Sequence, residues 1–206
     1  IAADKLEAGA EDLELADGSV RVIGTDKAVT LAEIAAGAPE PLSAAESVKQ
    51  SENTYPNGTH ICELEIDPET GDIEILNYVI VDDFGVTVNP VLLAGQIHGG
   101  VAQAIGQALM ERTVFDEDGQ LLTAPFLDYH MPRAEDLPPF HFETRNVPST
   151  TNAMGIKGAG EAGTIGGSAS VMNAVADALR RHAGVKHIDM PATPNRVWEA
   201  IQAAKA

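Results

Sequence analysis

The chain has 206 residues, with 13 basic against 31 acidic side chains and a formal charge of −18. A field of that sign repels nucleic acid and anionic membranes, which makes both poor partners. No run approaches the roughly 18 apolar residues that cross a bilayer, and a single cysteine, Cys62, excludes an internal disulfide and fits a reducing, cytoplasmic setting.

The first residues, Ile1 to Leu6, read as a helix already under way, so the chain is expected to be a piece of a longer protein. Residues 1–37 form a small unit: a short helix, then Leu13–Ala16 and Val20–Ile23 around an Asp17-Gly18 turn, a hairpin signature. Thr30-Leu31-Ala32-Glu33 is a capping box opening another short helix, with Gly37 as its stop. Residues 38–56, rich in Pro, Ser and Glu, read as a linker or mobile crossover.

The second unit, 57–206, starts with His60–Asp67, where Ile61, Leu64 and Ile66 alternate with Glu63, Glu65 and Asp67. The turn Pro68–Gly71 leads into Ile73–Val81, giving an antiparallel hairpin with one wet, acidic face. Cys62 reads as a small apolar strand residue. Asp82-Asp83 has two readings: paired carboxylates for acid/base work, or the favoured one, a turn closing the strand. Asn89-Pro90 caps a helix over Val91–Arg112 that contains Gly95, Gly99, Gly100 and Gly106. Each interior glycine costs about 0.8–1 kcal/mol relative to alanine, so the missing side chains must serve close backbone packing or a ligand on that face. Gln96 and Gln103 lie on one side of this helix, and Gln96 is placed to donate to an oxygen-rich ligand, or simply to face solvent.

A second hairpin is expected over 114–123, an irregular aromatic stretch over 126–132, and a strand over 140–147. A polar loop, Pro148–Met154, precedes Gly155–Gly167, where Glu161 is the only acidic side chain among six glycines. A helix is predicted over Ser168–His182 with Gly184 as its stop, then a short strand Val185–Met190. A final helix is capped by Thr193-Pro194 and anchored by Trp198 and Ile201. Hairpins and long helices thus alternate as β-β-α, twice, which argues for an α+β fold with a mixed sheet. For Glu161 two readings stand: a placed chemical group, or a carboxylate stabilising a helix N-terminus.

Gly158-Ala159-Gly160-Glu161-Ala162-Gly163 also matches the G-x-G-x-x-G of dinucleotide folds. That motif requires a buried strand running into its first glycine. Here a polar loop precedes it, and Glu161 would face the pyrophosphate, so nicotinamide or flavin binding is disfavoured.

Tyr55–Asn89-Pro90 with its Asp82-Asp83-Phe84-Gly85, the run Gly95–Gln103, Lys157–Gly163 and Asn173–Leu179 together resemble the C-terminal part of the molybdopterin-binding large subunit of the xanthine dehydrogenase family. The branch they are most similar to is the aerobic carbon monoxide dehydrogenase-like large chain. The resemblance runs in order over essentially the whole chain. It implies oxidation or hydroxylation at a substrate carbon using water, with Glu161 as general base. It implies a molybdenum–pterin cofactor, in a dinucleotide form such as molybdopterin cytosine dinucleotide, held near Gln96, Gly99 and Gly160. Lys157 and Thr164 would meet its phosphates, with a solvated lysine as the alternative for Lys157. The metal is held by the pterin dithiolene, so no protein metal ligand is expected. The implied partners are the remainder of the large subunit, an Fe–S small subunit and an FAD medium subunit, in a dimer of heterotrimers. The family's other cofactor loops are absent from this chain, so the substrate is unreadable and the segment alone is expected to be inactive. A non-catalytic truncated or interaction module is the rival reading.

Overall fold

A computed structural model describes residues 1–47 and 52–205. The chain divides into two compact units, Ile1–Lys49 and Gln50–Ala206. Part of the linker expected at 38–56, residues 48–51, lies outside the described residues.

In the first unit, helix α1 (Ala2–Leu6) precedes an antiparallel sheet of β1 (Leu13–Ala16), β2 (Ser19–Val22) and β3 (Ala28–Thr30), followed by helix α2 (Leu31–Ala36). Asp17 and Gly18 both have positive φ, 48° and 73°. That pair of left-handed residues twists a two-residue turn to match its strands. The Thr30 hydroxyl accepts from the Glu33 N–H, and the Glu33 carboxylate accepts from the Thr30 N–H, so the capping box closes. Gly37 does end α2, but at φ −95°, outside the left-handed region. What it provides is room: a Cβ there would lie 2.7 Å from the Lys5 Nζ, which donates to the Glu33 carbonyl. Among the described residues of this unit, Val29 and Ile34 are the buried apolar pair.

The second unit is built on a mixed sheet ordered β4 (Asn57–Ile66), β5 (Ile73–Asp83), β6 (Phe140–Thr144). β4 and β5 run antiparallel from Asn57↔Asp83 to Ile66↔Ile73, while β6 joins parallel to β5 from Tyr78↔Phe140. The crossover carries helix α3 (Pro90–Leu109). Helices α4 (Ala162–Ala183) and α5 (Pro194–Lys205) complete the layer. Tyr78 and Ile80 from the sheet, Ile97, Val101 and Ile105 from α3, Val171 and Val175 from α4, and Ile201 from α5 form one buried cluster. The architecture is therefore α+β with a mixed sheet. The first β-β-α unit forms as β4-β5-α3. The second is thinner: residues 114–123 make a single bridge, Phe115↔Leu121, and β6 pairs with β5.

Several local expectations change. Ile61 lies on the outer side of β4 with Glu63 and Glu65 and is 59% exposed, while Cys62 packs against the core. Asp82 and Asp83 do not form an exposed turn; both belong to β5 and are buried. Residues 185–190 form no strand. In α5, Val197 and Ile201 are the buried anchors, and Trp198 is 40% exposed. The largest shift concerns α4, which begins at Ala162 rather than Ser168, so Gly163, Gly166 and Gly167 are helical.

Candidate functional site

The end of β5, the start of β4, the loop before α4 and the N-terminal halves of α3 and α4 converge in the second unit. Asp83 is the tie. Its Oδ2 accepts from the Lys157 Nζ at 2.6 Å, and its Oδ1 accepts from the N–H groups of Gly85 at 2.9 Å and Val147 at 3.0 Å. A longer bond, 3.4 Å, comes from Asn57 Nδ2. Burial opposes ionisation of Asp83 most strongly, but the Lys157 hydrogen bond and the two amides outweigh it, and the carboxyl is held down at about 2. Beyond Asp83, Gly85 at φ 65° bridges to Ile156, the Lys157 N–H donates to the Phe84 carbonyl, and Asn146 accepts from the Phe84 N–H. The Asn152 side chain both donates to the carbonyl and accepts from the N–H of Ile156, closing the polar loop on itself.

α3 and α4 cross backbone to backbone. A Cβ on Gly163 would lie 2.5 Å from the Ile97 carbonyl oxygen, and one on Gly100 would lie 3.0 Å from the Thr164 nitrogen. The Thr164 hydroxyl donates to the Gly100 carbonyl at 3.1 Å and lies 3.5 Å from the Gln103 amide oxygen. This crossing explains why α4 starts early. Glycine is a poor helix former alone, yet here its missing side chain admits the neighbouring helix.

Glu161 is the N-cap residue of α4, at φ −110° and ψ −2°, and its side chain makes no capping hydrogen bond. It is exposed. A carboxylate at this place favours the helix N-terminus through the dipole without such a bond, so both readings of Glu161 stand. Gln96 is exposed on α3, and at Gly95, Gly99, Gly158 and Gly160 a Cβ would meet nothing within 4 Å. Of the α3 glycines, then, Gly100 serves helix packing while Gly95 and Gly99 leave an open face. Lys157 and Thr164, expected at phosphates, each have a protein partner, Asp83 and Gly100.

Beneath α4, the His60 ring hydrogen-bonds Tyr78 Oη through Nδ1 at 3.0 Å and faces Asp82 Oδ2 from Nε2 at 3.4 Å. A cleft of about 140 Å³ opens beside this pair, lined by Asn57, His60, Asp82, Ala162 and Ile165 among others. Among the described residues, no group of three or more His, Cys, Asp and Glu side chains is placed to hold a metal ion. Residues 149–154 are loop and turn, so no buried strand enters the G-x-G-x-x-G run. The roles of Asp83, Asn146, Asn152 and His60 were not foreseen. Asp83 and Lys157 are opposite charges flanking glycines, but 74 positions apart.

Residues 1–138 match the family model described as the molybdopterin cofactor-binding domain. The chain belongs to this molybdopterin cofactor-binding family. It is 38% identical over 98% of its length to the nicotine 6-hydroxylase large subunit of Paenarthrobacter nicotinovorans. It is 35% identical, again over 98%, to the carbon monoxide dehydrogenase large chain of Hydrogenophaga pseudoflava. Its fold matches the crystal structure of quinoline 2-oxidoreductase from Pseudomonas putida 86 with a TM-score of 0.85, at 37% identity and 98% coverage. The chain spans only about a quarter of each of these proteins: 26%, 26% and 27%. Over that quarter the chain shares the fold of the quinoline 2-oxidoreductase structure. The open glycine positions at Gly99, Gly158 and Gly160 and the exposed Gln96 amide let a broad, polar group approach the backbone closely. These residues fit the cofactor for which the family is named.

Proposed function

We propose that this chain is the segment of a molybdenum hydroxylase large subunit that supplies Glu161 as the general base for oxidation of a substrate carbon with water. The observation that carries this reading is an exposed carboxylate with no capping bond, held at the N-terminus of a 22-residue helix beside glycines whose Cβ positions are open. Gln96 donates to the cofactor, Gly99 and Gly160 admit it, and Thr164 stands at its edge. When bound, the molybdenum–pterin group supplies the two-electron oxidation. Glu161 takes the proton released as water is activated, a role worth about 10²–10⁴-fold in rate. The cofactor is a dinucleotide form such as molybdopterin cytosine dinucleotide. Electrons pass to Fe–S and FAD subunits in a dimer of heterotrimers, and the enzyme works in the cytoplasm. The names of the relatives span nicotine, quinoline and carbon monoxide, so these three are the first substrates to test.

The test is Glu161→Gln in the complete large subunit within its complex. Turnover is expected to fall by about 10²-fold or more while molybdenum and pterin contents stay at wild-type levels. Retained turnover would remove the base assignment.

A further inference from the structure

We propose that Asp83 and Lys157 form a clamp that positions the Glu161 loop, so that Lys157 acts on the protein and not on a phosphate. This rests on the reading of Glu161 given above and deepens it. Only Gly158-Ala159-Gly160 separates Lys157 from Glu161. Neither glycine has packing around its Cβ position, and residues 157–159 belong to no helix or strand. Glycine-rich chain loses more freedom on ordering than any other, and between the ends the Ala159 methyl alone rests against the core, so the place of Glu161 depends on how both ends of this stretch are held. α4 holds one end through its crossing with α3. The other end is held at Lys157, whose N–H donates to the Phe84 carbonyl at 3.0 Å and whose ammonium reaches Asp83 at 2.6 Å. Asp83 is itself fixed by the Gly85 and Val147 amides. The two side chains are only 13% and 10% exposed, so salt screens the pair little. A lysine committed in this way has no free charge to offer a phosphate.

Two variants of the full large subunit in its complex test this: Asp83→Asn, and the paired Asp83→Asn/Lys157→Met. The paired change leaves no lone buried charge, so it keeps the test decisive should the unpaired Lys157 ammonium of Asp83→Asn weaken the fold. Hydrogen–deuterium exchange needs no substrate and decides first. Peptides covering 155–161 are expected to exchange at least tenfold faster in both variants, with α3 and β5 peptides unchanged and molybdenum content retained. With whichever of carbon monoxide, quinoline or nicotine the wild type oxidises, kcat is expected to fall at least tenfold with KM within threefold. In a Glu161→Gln background the clamp variants should add no further loss. Unchanged exchange at 155–161 overturns the proposal, as does loss of protection throughout the domain in both variants. Loss of molybdenum in the paired variant with none in Asp83→Asn also overturns it, in favour of a phosphate contact. If Glu161→Gln keeps turnover, the base assignment fails by itself, and the exchange result still decides the clamp.

Discussion

The imidazole of His60 lies against the backbone of Gly166, where a Cβ would fall 2.7 Å from three of the ring atoms. Its two polar partners, and not the cleft beside it, set where the ring sits. It is buried between Tyr78 and Asp82, hydrogen-bonded to the first and facing the second, and it fixes the distance between β4 and the first turns of α4. The same helix end carries Glu161, so the sheet sets the height at which the carboxylate is presented.

Gly166→Ala is therefore expected to destabilise the domain although alanine is the better helix former. The propensity gain is about 1 kcal/mol, while overpacking against a pinned ring costs about 1–3 kcal/mol. Thermal unfolding should show a lower Tm. An unchanged or higher Tm would mean that the ring is free to move.

Gly163 and Gly99 should respond with opposite signs. Alanine at Gly163 puts its Cβ 2.5 Å from the Ile97 carbonyl oxygen, which is backbone and cannot turn aside. Separating α3 from α4 there is expected to cost about 3 kcal/mol, at the upper end for overpacking. Alanine at Gly99 meets nothing within 4 Å and should raise stability by about 0.8–1 kcal/mol. If Gly99 faces the cofactor, the same substitution in the complete subunit lowers molybdenum content, so the gain in stability comes with a loss in loading. Denaturant unfolding and metal analysis on one preparation read both effects.

Where a signal is local, the sequence showed it. Asn89-Pro90 opens α3, Thr30 and Glu33 close their capping box, and Asp17-Gly18 turns its hairpin, each through neighbours a few positions away. Ile61 is the exception among local signals: its hydrophobicity groups it with Leu64 and Ile66, but the two-residue period of β4 carries it to the outer side with Glu63 and Glu65. The start of α4 was hidden because glycine propensity says loop; only the crossing with Gly100, more than sixty positions upstream, makes helix the better state. Asp83 was hidden for a similar reason. Two adjacent acids at a strand end look like a solvated turn until a lysine 74 positions on supplies the counter-charge. Glu161 and Gln96 stood out early because a lone polar side chain among glycines has few structural uses.

Acid should expose the Asp83 clamp. Its carboxyl is held down at about 2 against an ordinary 3.8: burial pulls the other way, and the Lys157 bond and the Val147 and Gly85 amides win. A folded-state value below the unfolded one means the stabilisation is fully present above about pH 4 and is lost as pH falls towards 2. Wild-type stability should therefore drop between pH 4 and pH 2, and Asp83→Asn should lack that component of the drop. Parallel pH profiles for the two proteins over this range would show that the carboxylate carries no such stabilisation.

Cys62 provides an independent check on β4. The side chain faces the core between His60 and Leu64, and burial pushes its thiol up to about 11 from an ordinary 9.0. At pH 8 the thiolate fraction is then about 100-fold smaller than for an ordinary thiol, and its greater intrinsic nucleophilicity recovers only about tenfold of that. Reaction with a disulfide reagent such as DTNB should be at least about tenfold slower in the folded protein than in urea, where the thiol regains its ordinary value. Raising the pH from 8 towards 10 should speed the folded-state reaction without a plateau, because the folded thiol still lies below its midpoint. Labelling at the free-thiol rate at pH 8 would place Cys62 on the outer face, and with it Ile61 on the inner one.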